Sequence, residues 1–336
     1  MNSRRWKAAV LGFITLAGFA PERASAYCRM TTGGGSQVGT ADCVERGEPF
    51  FWDYPCLSYA VDIRGSQWFD DVSQIEDIVY QAFAAWQNAN CGGGATPNLL
   101  FQPLPASTCQ RPDFNTTGNV NTIAFLDPWM NPCTEEAYSP FAFAVTIVWH
   151  NTSTGEILDA DMMINDVEAT RSGISLTAGG PYEDCPDTGC PPGSLSNPGP
   201  ADLPSIITHE AGHFIGIGHS DIEEATMFAE TTRTSVDKRT LAQDDIDAVC
   251  AIYPPGSLDA SCDATPIGGL LLNCETDENG NPIACDEPAA PPSSGGGCSA
   301  CRVAGGPQDL PWVAILGSLL GLTALRRRSR RRVARS

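Results

Sequence analysis

Three of the chain's four histidines fall within the run His209-Glu210-Ala211-Gly212-His213-Phe214-Ile215-Gly216-Ile217-Gly218-His219. Residues four apart on a helix lie one turn from each other on the same face, so the imidazoles of His209 and His213 can reach one metal ion, with Glu210 beside them. Gly216 can adopt the left-handed backbone that ends a helix, and the reversed chain then returns His219 as a third ligand. Three imidazole nitrogens suit zinc and leave a fourth position for water, which separates a catalytic site from a closed structural one. Such an ion lowers the pKa of water to about 7 and polarises a carbonyl oxygen. Glu210 is not a ligand in this arrangement. It is placed to accept the proton of the attacking water and pass it to a departing amine, so amide hydrolysis needs no covalent acyl intermediate.

These side chains need a helix with a defined start. Asp202 is a plausible N-cap, and Pro204 suits a first turn whose amide protons lack partners anyway. Upstream, residues 165–200 are rich in Gly, Pro and Ser and contain Cys185 and Cys190, a composition that predicts a long surface loop. Residues 56–64 alternate as a half-buried strand. Ser73 and Glu76 have capping-box spacing for a helix with the apolar stripe Ile75, Ile78, Val79, Ala82, Phe83 and Trp86, running to the stop at Cys91-Gly-Gly-Gly. Further strands are expected at 99–102, 122–126, 143–149 and 157–164. A last helix is expected over 241–253, capped by Thr240 and ended by Pro254-Pro255. There is no internal repeat.

The two ends have a different character. Arg4, Arg5 and Lys7 precede the apolar run Ala8 to Ala20, and Ala24-Ser25-Ala26 supplies small residues for cleavage, so residues 1–26 are expected to be a signal peptide. All fourteen cysteines lie beyond that point, which fits an exported chain with disulfides. Residues 256–310 change to Gly, Pro, Asp and Cys and are expected to be a linker or a small disulfide module. At 311–336 a short apolar run meets an Arg cluster. Fifteen apolar residues reach only about 22 Å along a helix, short of the ~30 Å hydrocarbon core, so a transmembrane helix there is marginal. The order of a Gly-rich Cys298 and Cys301, apolar run and arginines resembles the C-terminal sorting tails of myxobacterial surface proteins. That resemblance implies processing near those cysteines, contact with membrane and sorting machinery, and a cell-surface or secreted location. The formal net charge is −20, and all the acidic residues but Glu22 lie in residues 27–310. A body this acidic repels phosphate backbones, which excludes nucleic acid as a partner. Oligomeric state leaves no signal.

HEAGHFIGIGHS is similar to the HExxHxxGxxH signature of the metzincin metalloendopeptidases, and Ser220 directly after His219 resembles the matrixin branch. Met227, in Ala225-Thr226-Met227-Phe228, resembles the Met-turn that underlies the metal in that family. The resemblance covers roughly residues 50–255, within a matrixin-like domain expected over 27–255. It implies an α+β zincin with a twisted mixed sheet, long helices and the zinc-binding helix at a cleft, acting on protein or peptide substrate. It also implies an edge strand near 143–149 that pairs with the substrate backbone. His150 follows that strand without a partner motif and is expected at the surface. Asp159 and Asp161, with Asn165 following, sit where matrixins tend to place Ca2+ ligands, although ordinary strand-end acids would look the same. Two departures stand out. Matrixins usually carry a proline shortly after the Met-turn, where this chain has Phe228-Ala229-Glu230, and no zinc-blocking PRCGxPD segment precedes the first strand. Cys28 or Cys43 could block the metal, though a disulfide is the expected fate of each. Two other functions fit the same residues: a surface adhesion protein whose site no longer turns over, and a zinc amidase acting on cell-wall peptides.

Overall fold

Alternating apolar residues build a six-stranded mixed sheet, and two helices close one of its faces. The structure, a computed structural model, describes residues 27–33, 46–167, 175–179, 200–231, 235–256, 262–274 and 314–315. The expected signal peptide (residues 1–26), Cys185 and Cys190, and all of the tail but two residues lie outside these. The strands are β1 (Cys56–Val61), β2 (Leu100–Pro103), β3 (Thr122–Leu126), β4 (Ala144–His150), β5 (Ile157–Asn165) and β8 (Ala314–Ile315), in the order β2-β1-β3-β5-β4-β8. The β1, β2, β3 and β5 pairings are parallel; β4 runs antiparallel to β5. Two short strands, β6 (Leu176–Thr177) and β7 (Ala201–Asp202), pair separately just ahead of the second helix. No helix among the described residues is long and apolar enough to cross a membrane.

Helix α1 (Val72–Gln87) buries Ile75, Val79, Ala82, Phe83 and Trp86, most of the expected stripe, while Ile78 is only half-buried. It packs against α2 (Leu203–Phe214), and the Trp86 indole N–H donates to the Thr208 carbonyl at 2.8 Å, fixing one helix on the other. Beneath them, Ala160, Met162 and Ile164 of β5 and Leu57, Tyr59 and Val61 of β1 complete the core.

Several local expectations are corrected. The α1 cap is Asp71, whose carboxylate accepts the Ser73 N–H at 2.9 Å, not the Ser73–Glu76 box. Helix α3 (Gln243–Ile252) is not capped by Thr240. Asp245 reaches back three residues to the Ala242 N–H, the local contact that an acid at the third helical position makes with the N-cap amide. β1 is buried on both faces rather than half-buried, because residues 262–274 cover its outer side: Ser58 donates to the Ala264 carbonyl, and Cys56 is bonded to Cys262. His150 is buried, not at the surface, with its ring 4.2 Å from that of Phe50. Strand β4 is not a bare edge, since Thr146 and Ile147 pair antiparallel with Ile315 and Ala314.

Candidate metal centre

Helix α2 begins where Asp202 accepts the Ser205 N–H at 3.0 Å, with Pro204 in the first turn, as the sequence predicts. The Arg239 guanidinium also binds the Asp202 carboxylate, so the cap is anchored to the segment beyond the metal site. The helix stops at Ile215 because Gly216 takes φ +87°, and a Cβ there would lie 2.8 Å from the Phe50 carbonyl oxygen. The returning segment is held on both sides: Met30 N–H donates to the Gly216 carbonyl, and Gly218 N–H donates to Cys28. His219 then arrives over the helix. Cys28 is itself disulfide-bonded, so its thiolate is not available to block a metal.

The three rings converge, with one ligand atom from each of His209, His213 and His219 within 4.8 Å of the others. His209 Nδ1–H donates to the Thr226 carbonyl at 2.7 Å, and His213 Nδ1–H donates to Ile217 at 2.8 Å. A carbonyl only accepts, so each ring carries its proton on Nδ1 and presents the bare lone pair of Nε2. The Nε2 atoms of His213 and His219 stand 3.2 Å apart, and that of His209 has no hydrogen-bond partner among the described residues. His219 Nδ1 has no partner among the described residues, so no carbonyl sets that ring's tautomer, and without a cation the two rings can share only one N–H···N bond. Tetrahedral zinc with bonds of ~2.0–2.1 Å sets nitrogens about 3.3 Å apart. The donor set therefore fits zinc.

Burial holds the rings neutral. It lowers His209 and His219 well below the ordinary imidazole range and brings His213 to about 4. Between pH 6.5 and about 4 the unfolded chain takes up protons that the folded imidazoles refuse, so their contribution to stability falls as pH drops through that window. In metal-stripped protein the nitrogen-15 NMR shifts of His213 are expected to remain those of a neutral ring down to about pH 4; titration near 6.5 would contradict the burial argument.

Glu210 is fully buried beside the histidines. The Thr146 hydroxyl donates to its Oε2 at 2.6 Å, while Oε1 has no partner among the described residues. Burial pushes its carboxyl up to about 8, against the pull of that hydroxyl. One oxygen is thus held by β4 and the other is free to exchange a proton.

Met227 lies directly under the helix. A Cβ added at Gly212 would sit 2.2 Å from Met227 Sδ and 2.8 Å from the Trp86 ring, so only glycine permits this approach. Gly212→Ala is expected to cost about 1–3 kcal/mol by overpacking and to weaken zinc binding as the helix shifts. A denaturant melt at wild-type stability would count against the close contact.

Sequence reasoning missed three residues. Thr146 is an ordinary strand residue until tertiary structure brings β4 to α2. Asp245 accepts the backbone N–H groups of Thr226 at 2.7 Å and Met227 at 3.0 Å. Lys238 donates to carbonyls of the same turn, and its rarity was the available signal, since Lys7 is the only other lysine. Of the calcium candidates, Asp159 and Asp161 are buried, and Asn165 donates its amide N–H to the Ala142 carbonyl while its Oδ1 accepts the Val167 N–H at 3.2 Å. Burial raises Asp159 to about 7, and burial together with the neighbouring Asp159 charge raises Asp161 well above the ordinary carboxylate range.

Comparison with known proteins agrees with this site. Residues 134–254 match the family model for matrixin. Metalloendoproteinase 2-MMP of Arabidopsis thaliana is 39% identical over 59 residues, 18% of this chain and 15% of that protein. Metalloendoproteinase 1 of Glycine max is 45% identical over 53 residues, 16% of this chain and 17% of that protein. Interstitial collagenase B of Mus musculus is 44% identical over 50 residues, 15% of this chain and 11% of that protein. The chain thus spans less than a fifth of the length of each of these relatives. The mixed sheet, paired helices and three-histidine cluster make the fold α+β and metzincin-like, and the metal of the matched family is zinc.

Proposed function

We propose that this chain is a zinc-dependent endopeptidase that hydrolyses peptide bonds in proteins, with His209, His213 and His219 as metal ligands, Glu210 as general base and Met227 as the floor of the site. The observation that carries this reading is the convergence of three neutral imidazoles beside a buried carboxylate with one free oxygen. Zinc supplies Lewis acidity toward water and the scissile carbonyl. Glu210 Oε1 takes the proton from the attacking water and returns it to the leaving amine, while Thr146 keeps Oε2 in place so that the carboxylate does not rotate between the two transfers. The outer edge of β4 pairs antiparallel with Ile315 and Ala314, and Thr146 on that strand touches Glu210, so an extended substrate that takes the place of that segment passes alongside the base.

Export belongs to the same proposal. The disulfides suit an oxidising compartment, and the two ends carry the signal and sorting features described above. The test is hydrolysis of casein or gelatin by the full chain, beside cross-linked peptidoglycan, with and without a chelator. Chelator-sensitive cleavage of protein supports an endopeptidase. Cleavage of peptidoglycan alone selects the amidase, and stoichiometric zinc with every substrate intact selects the silent adhesion protein. Cleavage that survives complete zinc removal overturns the mechanism.

A further inference from the structure

Lysine is nearly absent from this chain, yet one of its two copies is buried beside the metal centre. Lys238 lies in the 3-10 turn Asp237–Arg239 and is 5% exposed. An ammonium has three hydrogens, and Lys238 Nζ faces three carbonyl oxygens: Ala225 at 3.1 Å, Thr226 at 3.3 Å and Phe228 at 2.5 Å. The Thr226 carbonyl is the one that accepts His209 Nδ1–H. Asp245 takes the amides of the same turn from the other side. The backbone under Met227 is therefore gripped by a cation through its carbonyls and by a carboxylate through its amides. Burying an ammonium is unfavourable unless each hydrogen is matched, and here each one is.

We propose that Lys238 is a positioning residue for the metal site: its ammonium locks the 225–228 turn and aims the Thr226 carbonyl that orients the His209 ring. This rests on the reading of the three histidines as zinc ligands. The carbonyl that receives His209 Nδ1–H needs a fixed direction, because a small rotation of the ring swings Nε2 away from its two neighbours. A charge-assisted bond from Lys238 to that same oxygen supplies the direction, and the bonds to Ala225 and Phe228 prevent the turn from pivoting about it. Groups that orient a ligating histidine typically change metal affinity 10–100-fold when removed.

The test measures zinc affinity by chelator competition on the full chain, comparing wild type, Lys238→Met and Ile123→Ala, the last opening a cavity in β3 rather than at the turn. Lys238→Met is expected to weaken zinc binding about 10–100-fold, while Ile123→Ala keeps wild-type affinity despite its lower stability. Equal affinity in wild type and Lys238→Met, or equal weakening in both variants, overturns the proposal. Should Lys238→Met fail to fold, Lys238→Gln, which keeps two amide hydrogens without the charge, takes its place with the same expected direction, and wild-type affinity in that variant likewise overturns it. Absence of zinc binding in wild type refutes the three-histidine reading instead, which separates the two failures.

Discussion

Glu210→Gln is expected to lower peptide hydrolysis by about 10²–10⁴-fold while zinc still binds at wild-type stoichiometry. The substitution preserves shape and leaves a carbonyl oxygen able to accept the Thr146 hydroxyl, so the packing around α2 should survive. What it removes is the oxygen to which the proposed mechanism assigns the proton transfers. Glu210 is fully buried, with the Thr146 hydroxyl as its hydrogen-bond partner and no cation paired to it among the described residues. A charge placed there without a partner is costly, and that cost is consistent with a group kept for its chemistry rather than for stability. The measurement pairs metal analysis of the purified variant with initial rates on casein. Wild-type rates in a zinc-loaded variant would dismiss Glu210 as the base. Loss of zinc together with loss of rate would show that the carboxylate acts on the metal site itself.

Breaking the disulfides is expected to have the largest effect on stability. Cys56–Cys262, Cys91–Cys250 and Cys109–Cys274 close spans of 206, 159 and 165 residues. Removing a native bridge typically costs about 2–5 kcal/mol, against a usual total of about 5–15 kcal/mol for a folded domain. The three spans overlap, so their contributions do not simply add. Full reduction is nevertheless expected to unfold the protein in mild denaturant. Cys91–Cys250 joins the chain beyond α1 to α3, and the other two tie residues 262–274 over β1 and the segment after β2. A urea midpoint unchanged after every thiol has been titrated would show that the apolar core suffices alone. Zinc site geometry should decline with the fold, since the turn beneath it hangs on Asp245 of α3.

Much of the architecture was legible from periodicity. The Thr122–Leu126 strand has its expected bounds, and the strands at β2, β4 and β5 differ from expectation by about one residue at their ends, because short apolar runs bounded by turn residues mark strands even where, as in β3 and β5, every residue is buried. The start of α2 was legible because an N-cap and an early proline act within one turn of chain. The caps of α1 and α3 were misread for a complementary reason. Each helix start offers several polar residues within one turn, and the acids Asp71 and Asp245 take the Ser73 and Ala242 amides where Ser73 and Thr240 were expected to cap. His150 was misplaced because its burial depends on Phe50, a hundred residues away.

The sequence by itself determined the donor set, the helical spacing that puts two imidazoles on one face, and the glycine that turns the chain back toward them, since each is a property of a dozen adjacent residues. Only the tertiary structure decided which nitrogen His209 presents, which oxygen of Glu210 is free and which cysteines are joined. It also placed a lone lysine beneath the turn at Met227. Those outcomes depend on carbonyls, hydroxyls and thiols contributed by distant segments. A hydrogen bond or a disulfide is set by distance in space, and local pattern carries no record of which distant groups will meet.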